Sequence, residues 1–168
     1  MKSHIAGAWT VYVAVVGPGQ DASERDCDQA REVGGLLAER GIRLVTGGLT
    51  GVMAAAAEGC SQAGGISVGL LPGTDREAAS PELTLALPTG LGELRNGLLV
   101  RSSDGVIAVG GSWGTLSEVA VAHRLGVPVV TLHGWSVWDA AGVSVPMIIA
   151  SSPLAAVERV VELIEALR

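Results

Sequence analysis

Two side chains of opposite charge stand out for what they could do to a phosphorylated ligand. Arg95, in "ELRN", is a permanent cation with a planar fork that would sit near a ligand crevice. Glu118, in "GGSWGTLSE", is a carboxylate early in a helical pattern that could serve as a catalyst. Just before Glu118, Gly110, Gly111, Ser112, Trp113, Gly114 and Thr115 lie between an apolar run and a helical pattern. Glycines there let the backbone approach a ligand, and the free N–H groups that open the following helix, with its dipole, suit a phosphate. Each feature has a plainer reading. The turn could simply join strand to helix, Arg95 could be a solvated helix position, and Thr115-Leu116-Ser117-Glu118 fits the S/T-x-x-E capping box, in which the glutamate needs no substrate. "TGGLTGVM", with Gly47, Gly48 and Met53, is either a second backbone wall for a base or ribose or only a turn.

Other chemistries find little support. "GPGQD" is a poor dinucleotide fingerprint, since Ala22 stands where a third glycine belongs and Pro18 offers no N–H. No Walker sequence occurs, and Lys2 is the single lysine, a poor Schiff-base residue for pyridoxal phosphate. His4, His123 and His133 show no metal-ligand spacing, so no metal is expected. Cys27 and Cys60 lack a CxxC arrangement and read as idle thiols of a reducing compartment, the cytoplasm. A formal charge of -6 without a basic cluster argues against nucleic-acid or anionic-membrane surfaces. The opening "MKSHIAGAWTVYVAVVG" reads as leading into a first strand rather than as a signal peptide, and no long apolar run suggests a membrane span.

Positioning these residues requires a sheet. Apolar runs at 11–16, 42–48, 66–72, 104–111, 127–134 and 146–150 alternate with helical patterns at 23–40, 50–64, 91–103, 115–125 and 153–167. The segment 73–90 is rich in turn residues, and Leu91, Leu94 and Leu98 are expected to face the core. Strands apolar throughout imply cover on both faces, and strand-helix alternation implies parallel pairing. The expectation is one α/β domain over 1–168, a Rossmann-like, doubly wound, mostly parallel sheet with helices on both faces. In such a sheet the glycine-rich turns fall in the ligand crevice beyond the strands' carboxyl ends.

The blocks "GGLTGVM", "AGGISVGLLP", "ELRN" and "GGSWGTLSE" keep an order and spacing that resembles the Lonely Guy family of nucleoside 5'-monophosphate phosphoribohydrolases, formerly labelled possible lysine decarboxylases. The resemblance spans residues 11–135. The family signature P-G-G-x-G-T-x-x-E is matched with Gly110 in place of its proline and Ser112 in place of its second glycine. Its arginine-lysine pair corresponds to Arg95 and Asn96. Loss of that lysine places the chain nearer a divergent branch that includes proteins resembling molybdenum-cofactor carriers. The resemblance implies a homodimer that binds a nucleoside 5'-monophosphate such as AMP. Gly47, Gly48, Met53, Asn96 and residues 110–115 would hold the nucleotide, and Arg95 and Glu118 would catalyse hydrolysis of the N-glycosidic bond. It implies no metal, flavin or nicotinamide cofactor. Asn96 also keeps open a carrier that holds a phosphorylated nucleotide or a cofactor such as molybdenum cofactor without hydrolysing it.

Overall fold

A strand that is apolar on both faces must be covered twice, and the first strand shows how this is done. Val13 and Val15 pack with Val33, Leu37, Val52 and Val160 on one side of the sheet. Ala14 and Val16 pack with Leu99, Val100, Val119 and Ala122 on the other. The computed structural model describes residues 10–168, so Lys2 and His4 lie outside the described residues. Seven strands alternate with five helices: β1 (Tyr12–Val16), α1 (Glu24–Glu39), β2 (Arg43–Thr46), α2 (Val52–Gln62), β3 (Ser67–Leu71), β4 (Leu85–Pro88), a 3-10 turn (Gly92–Leu94), α3 (Arg95–Arg101), β5 (Gly105–Val109), α4 (Trp113–Leu125), β6 (Val129–Leu132), β7 (Ile148–Ile149) and α5 (Pro153–Ala166).

The strands form one sheet in the order β4-β3-β2-β1-β5-β6-β7, and every neighbouring pair is parallel. This is the doubly wound, Rossmann-like α/β fold expected from the sequence. The chain runs outward from β1 to β4 on one side, then returns to the other side of β1 with β5. The order therefore reverses between β1 and β5, where such sheets open their ligand crevice. The turns after these two strands meet closely: a Cβ at Gly17 would strike the carbonyl of Val109 at the end of β5.

Helices α1 and α2 lie on one face with α5 and touch almost backbone to backbone. A Cβ on Gly34 would collide with the carbonyl of Ala56, and one on Gly59 with the carbonyl of Arg31. That contact accounts for the small residues that dominate α2. Ser23 caps α1, accepting from the N–H of Asp26 while the Asp26 side chain accepts from the N–H of Ser23.

Two sequence expectations are corrected. The turn-rich segment contains β4, a four-residue edge strand in register with β3 from Val68↔Leu85 to Leu71↔Pro88, too short to stand out from the turns around it. The helix expected over 91–103 is a 3-10 turn followed by α3, in a different rotation. Leu91, Leu94 and Leu98 are 45%, 81% and 39% exposed, whereas Arg95, Leu99 and Val100 are buried. The inward face of α3 includes a cation because α4 brings a carboxylate to meet it.

Candidate functional site

The anion-binding potential of the glycine turn depends on where α4 begins. Ser112, in extended conformation, is its N-cap: its Oγ accepts from the N–H of Thr115 at 3.1 Å and lies 2.9 Å from Thr115 Oγ1, while its carbonyl accepts from the N–H of Leu116. Thr115 is thus inside the helix, and the capping box offered as the plainer reading of Thr115 to Glu118 does not form. Glu118 sits one turn further in, free of any capping duty. Trp113 and Gly114 open α4, and the N–H groups of such residues have no intrahelical acceptor. No hydrogen bond among the described residues engages either.

The glycines divide by what they accommodate. Gly110 has a φ of +66°, which favours glycine, and its Cα also faces the Asp26 carboxylate at the start of α1. Gly111 lies flat against the indole of Trp135, which a Cβ there would strike. Protein packing alone therefore explains both. Gly114 differs: a Cβ on it would meet nothing nearer than Ser112 Oγ at 3.7 Å, so the space beside it is open. Trp135 stands edge to face with Trp113, ring centroids 4.9 Å apart at 87°, and roofs a narrow crevice lined by Thr115, Leu116, Thr131 and Met147. Trp113 itself is 80% exposed. At the same end of the sheet Arg25 of α1 donates to Nε2 of His133, whose backbone is left-handed with φ 53°.

Arg95 and Glu118 form a second group, inside the protein. They are 8% and 5% exposed, and Nη1 of Arg95 donates to Oε1 of Glu118 at 3.3 Å. The contact has one point only and is longer than a well-made charge-assisted bond. Nη1 also donates to Asn96 Oδ1 at 3.0 Å, while Nε is buried without a partner. Burial pushes the Glu118 carboxyl up to about 7, more than the Arg95 charge can hold it down. Burial also lowers the Arg95 guanidinium, with Glu118 acting in the opposite sense, and it still carries its charge at neutral pH. The site thus pairs a fixed cation with a carboxyl able to give or take a proton near neutrality.

Gly47 makes room for this pair, since a Cβ there would lie 2.5 Å from Arg95 Nη2 and 2.6 Å from Met53 Sδ. Gly48, at φ +78°, packs on Leu71 and Gly69 of β3. The structure accordingly gathers Gly47, Met53, Arg95, Asn96 and Glu118 in one place, and Gly110, Gly111, Ser112, Trp113, Gly114 and Thr115 around the start of α4. Sequence reasoning missed Trp135 and Ser117. Trp135 follows β6 at the crevice end of the sheet, a position that the topology singles out. Ser117 was hidden inside the supposed capping box. Among the described residues no group of three or more His, Cys, Asp or Glu side chains is placed to hold a metal, and no helix is long and apolar enough to cross a membrane.

Comparison with known proteins adds to this geometry. The SLOG cluster4 family matches residues 10–158. The chain is 32% identical over 150 residues to the cytokinin riboside 5'-monophosphate phosphoribohydrolase of Mycobacterium tuberculosis, covering 82% of this chain and 78% of that protein. Among solved structures it is similar to the molybdenum cofactor binding protein of the phototrophic bacterium Rippkaea orientalis, at 36% identity and a TM-score of 0.81, covering 96% of this chain and 99% of the other. It is similar also to the molybdenum cofactor carrier protein of Chlamydomonas reinhardtii, at 33% identity and a TM-score of 0.81, covering 94% and 99%.

Proposed function

This chain belongs to the SLOG cluster4 family, and on that premise we propose that it binds a phosphate ester of a planar heterocycle and holds it intact, as a carrier for a ligand of the molybdenum-cofactor type. The observation that carries this reading is a division within the site. The free N–H groups of Trp113 and Gly114 stand at the exposed opening of α4, while Arg95 and Glu118 are turned inward and bonded to each other. The phosphate would rest on those two amides and the helix dipole. The exposed indole of Trp113 would lie against the heterocycle, where stacking gains affinity without regard to which base is present. Asn96, where the hydrolase family has lysine, agrees with retention rather than turnover, and so does the near-complete overlap with the carrier structures.

Hydrolysis of a nucleoside 5'-monophosphate is the second reading, favoured by the carboxyl of Glu118 at about 7. Such a group could protonate the departing base and then, as a carboxylate, take a proton from the water that attacks C1'. Base and ribose 5-phosphate would leave as products. We place a second copy of the chain against the apolar face formed by Leu85 and Leu87 of β4 with Leu91, Leu94 and Leu98, all at least one third exposed. One experiment separates carrier from hydrolase. The protein is incubated with AMP and chromatographed for free adenine, and in parallel is exposed to molybdenum cofactor and analysed for bound molybdenum and pterin. Bound cofactor without adenine release supports the carrier; adenine released at a rate proportional to protein overturns it.

A further inference from the structure

Beyond the Arg95–Glu118 contact, a chain of hydrogen bonds leads from the pair to the start of α4. Ser117 Oγ donates to the carbonyl of Gly114 at 2.7 Å and accepts from Asn96 Nδ2 at 2.9 Å. The other end of the same amide, Oδ1, accepts from Arg95 Nη1 at 3.0 Å. Nη1 carries two hydrogens, one directed to Asn96 and the other to Glu118. Each acceptor thus takes one hydrogen of the same nitrogen, and the shorter bond is the one to the neutral amide. Asn96 is fixed from behind by Ser117, and Ser117 by the backbone of the turn that presents the free amides.

We propose that Asn96 and Ser117 are positioning residues that fasten the Arg95 guanidinium to the first turn of α4 and hold it to a single, stretched contact with Glu118. Two observations support this. The first is that the Arg95 to Glu118 distance is 3.3 Å although both side chains are buried and free of bulk water, conditions under which an unrestrained pair would close to the two-point geometry. The second is that Arg95 Nε is left buried without a partner, as expected of a guanidinium held in place by something other than its carboxylate. The charged group acting on Glu118 is Arg95 of α3; its neighbours Asn96 and Ser117 are neutral. How far Glu118 remains a proton-carrying group near neutrality is then set by Asn96. The link to ligand rests on reading the start of α4 as the anion site.

The test uses the whole protein labelled with carboxyl-13C glutamate and follows the titration of Glu118 by NMR in the wild type, Asn96→Ala, Ser117→Ala and Asn96→Gln. Freed from Asn96, the Arg95 guanidinium can move closer to Glu118 than the stretched 3.3 Å contact, so the midpoint should fall by about one pH unit in Asn96→Ala. It should fall by less in Ser117→Ala, where the amide survives but is loosened. Asn96→Gln, which keeps an acceptor, should lie nearer the wild type. A purely structural role would lower melting temperatures without moving the midpoint. Midpoints unchanged or raised in folded Asn96→Ala would overturn the proposal. Titration of inorganic phosphate, observed at the amides of Trp113 and Gly114, examines the anion site separately. If phosphate leaves those amides unmoved but the Glu118 midpoint still shifts, the positioning role stands and the anion site fails.

Discussion

Replacing Glu118 by glutamine should make the protein more stable at alkaline pH and change nothing at acid pH. In the unfolded chain the carboxyl ionises at its ordinary 4.5, whereas in the folded protein burial holds it protonated until about 7. Between those values the unfolded state binds fewer protons than the native state, so stability falls as pH rises through the window and levels off above it. A separation from 4.5 to about 7, at about 1.4 kcal/mol for each pH unit, amounts to about 3 kcal/mol. Little is lost to solvent screening, because Glu118 is only 5% exposed. Glutamine imitates the protonated acid and keeps an oxygen for Arg95 Nη1, so it escapes this penalty. Urea unfolding of both proteins from pH 4.5 to 8.5 should give equal stabilities at the acid end and a variant ahead by about 3 kcal/mol at the alkaline end, or about 6–12 °C in Tm. Taking the difference between the two proteins cancels every other titrating group. Parallel curves with no divergence between pH 5 and 7 would refute the account of Glu118 as a buried, easily protonated acid.

Gly114→Ala should fold normally, even gaining about 0.5–1 kcal/mol in thermal melts from helix propensity, since the added methyl meets only Ser112 Oγ at 3.7 Å. Calorimetry with AMP should nevertheless record a loss of affinity, because the methyl occupies the open side of the proposed anion site. Ser112→Ala removes the cap of α4 and should cost about 1 kcal/mol in denaturant unfolding. Gly59→Ala forces a methyl into the carbonyl of Arg31 and should cost about 1–3 kcal/mol or more as α1 and α2 are pushed apart. An unaltered unfolding midpoint in that variant would mean that the helices are not in backbone contact.

The parallel sheet was legible because Val13 to Val16 and Val106 to Val109 are apolar without alternation, a pattern that requires cover on both faces. The rotation of α3 was not. Leu91, Leu94 and Leu98 repeat at helical spacing like a core face, yet the helix turns that face outward and buries Arg95, because the carboxylate that makes this tolerable arrives from α4, distant in sequence. The start of α4 was placed too late for a similar reason. The sequence offered a capping box beginning at Thr115, but the chain path after Gly110, at positive φ, starts the helix three residues earlier with Ser112 as its cap. For Gly47 and Gly111 the sequence left open a ligand wall or a plain turn, and each has a protein neighbour beside it, Arg95 in one case and Trp135 in the other. Neither neighbour is close in the chain.

The proposed function requires a phosphate ester seated at Trp113 and Gly114 and left unbroken. Its most direct test is native mass spectrometry of the protein after anaerobic exposure to molybdenum cofactor released from a molybdenum enzyme, with AMP present as competitor. The expected spectrum contains protein with intact pterin and molybdenum bound, diminished in Gly114→Ala, and no adenine in solution. A spectrum of ligand-free protein, accompanied by adenine and ribose 5-phosphate, would contradict it.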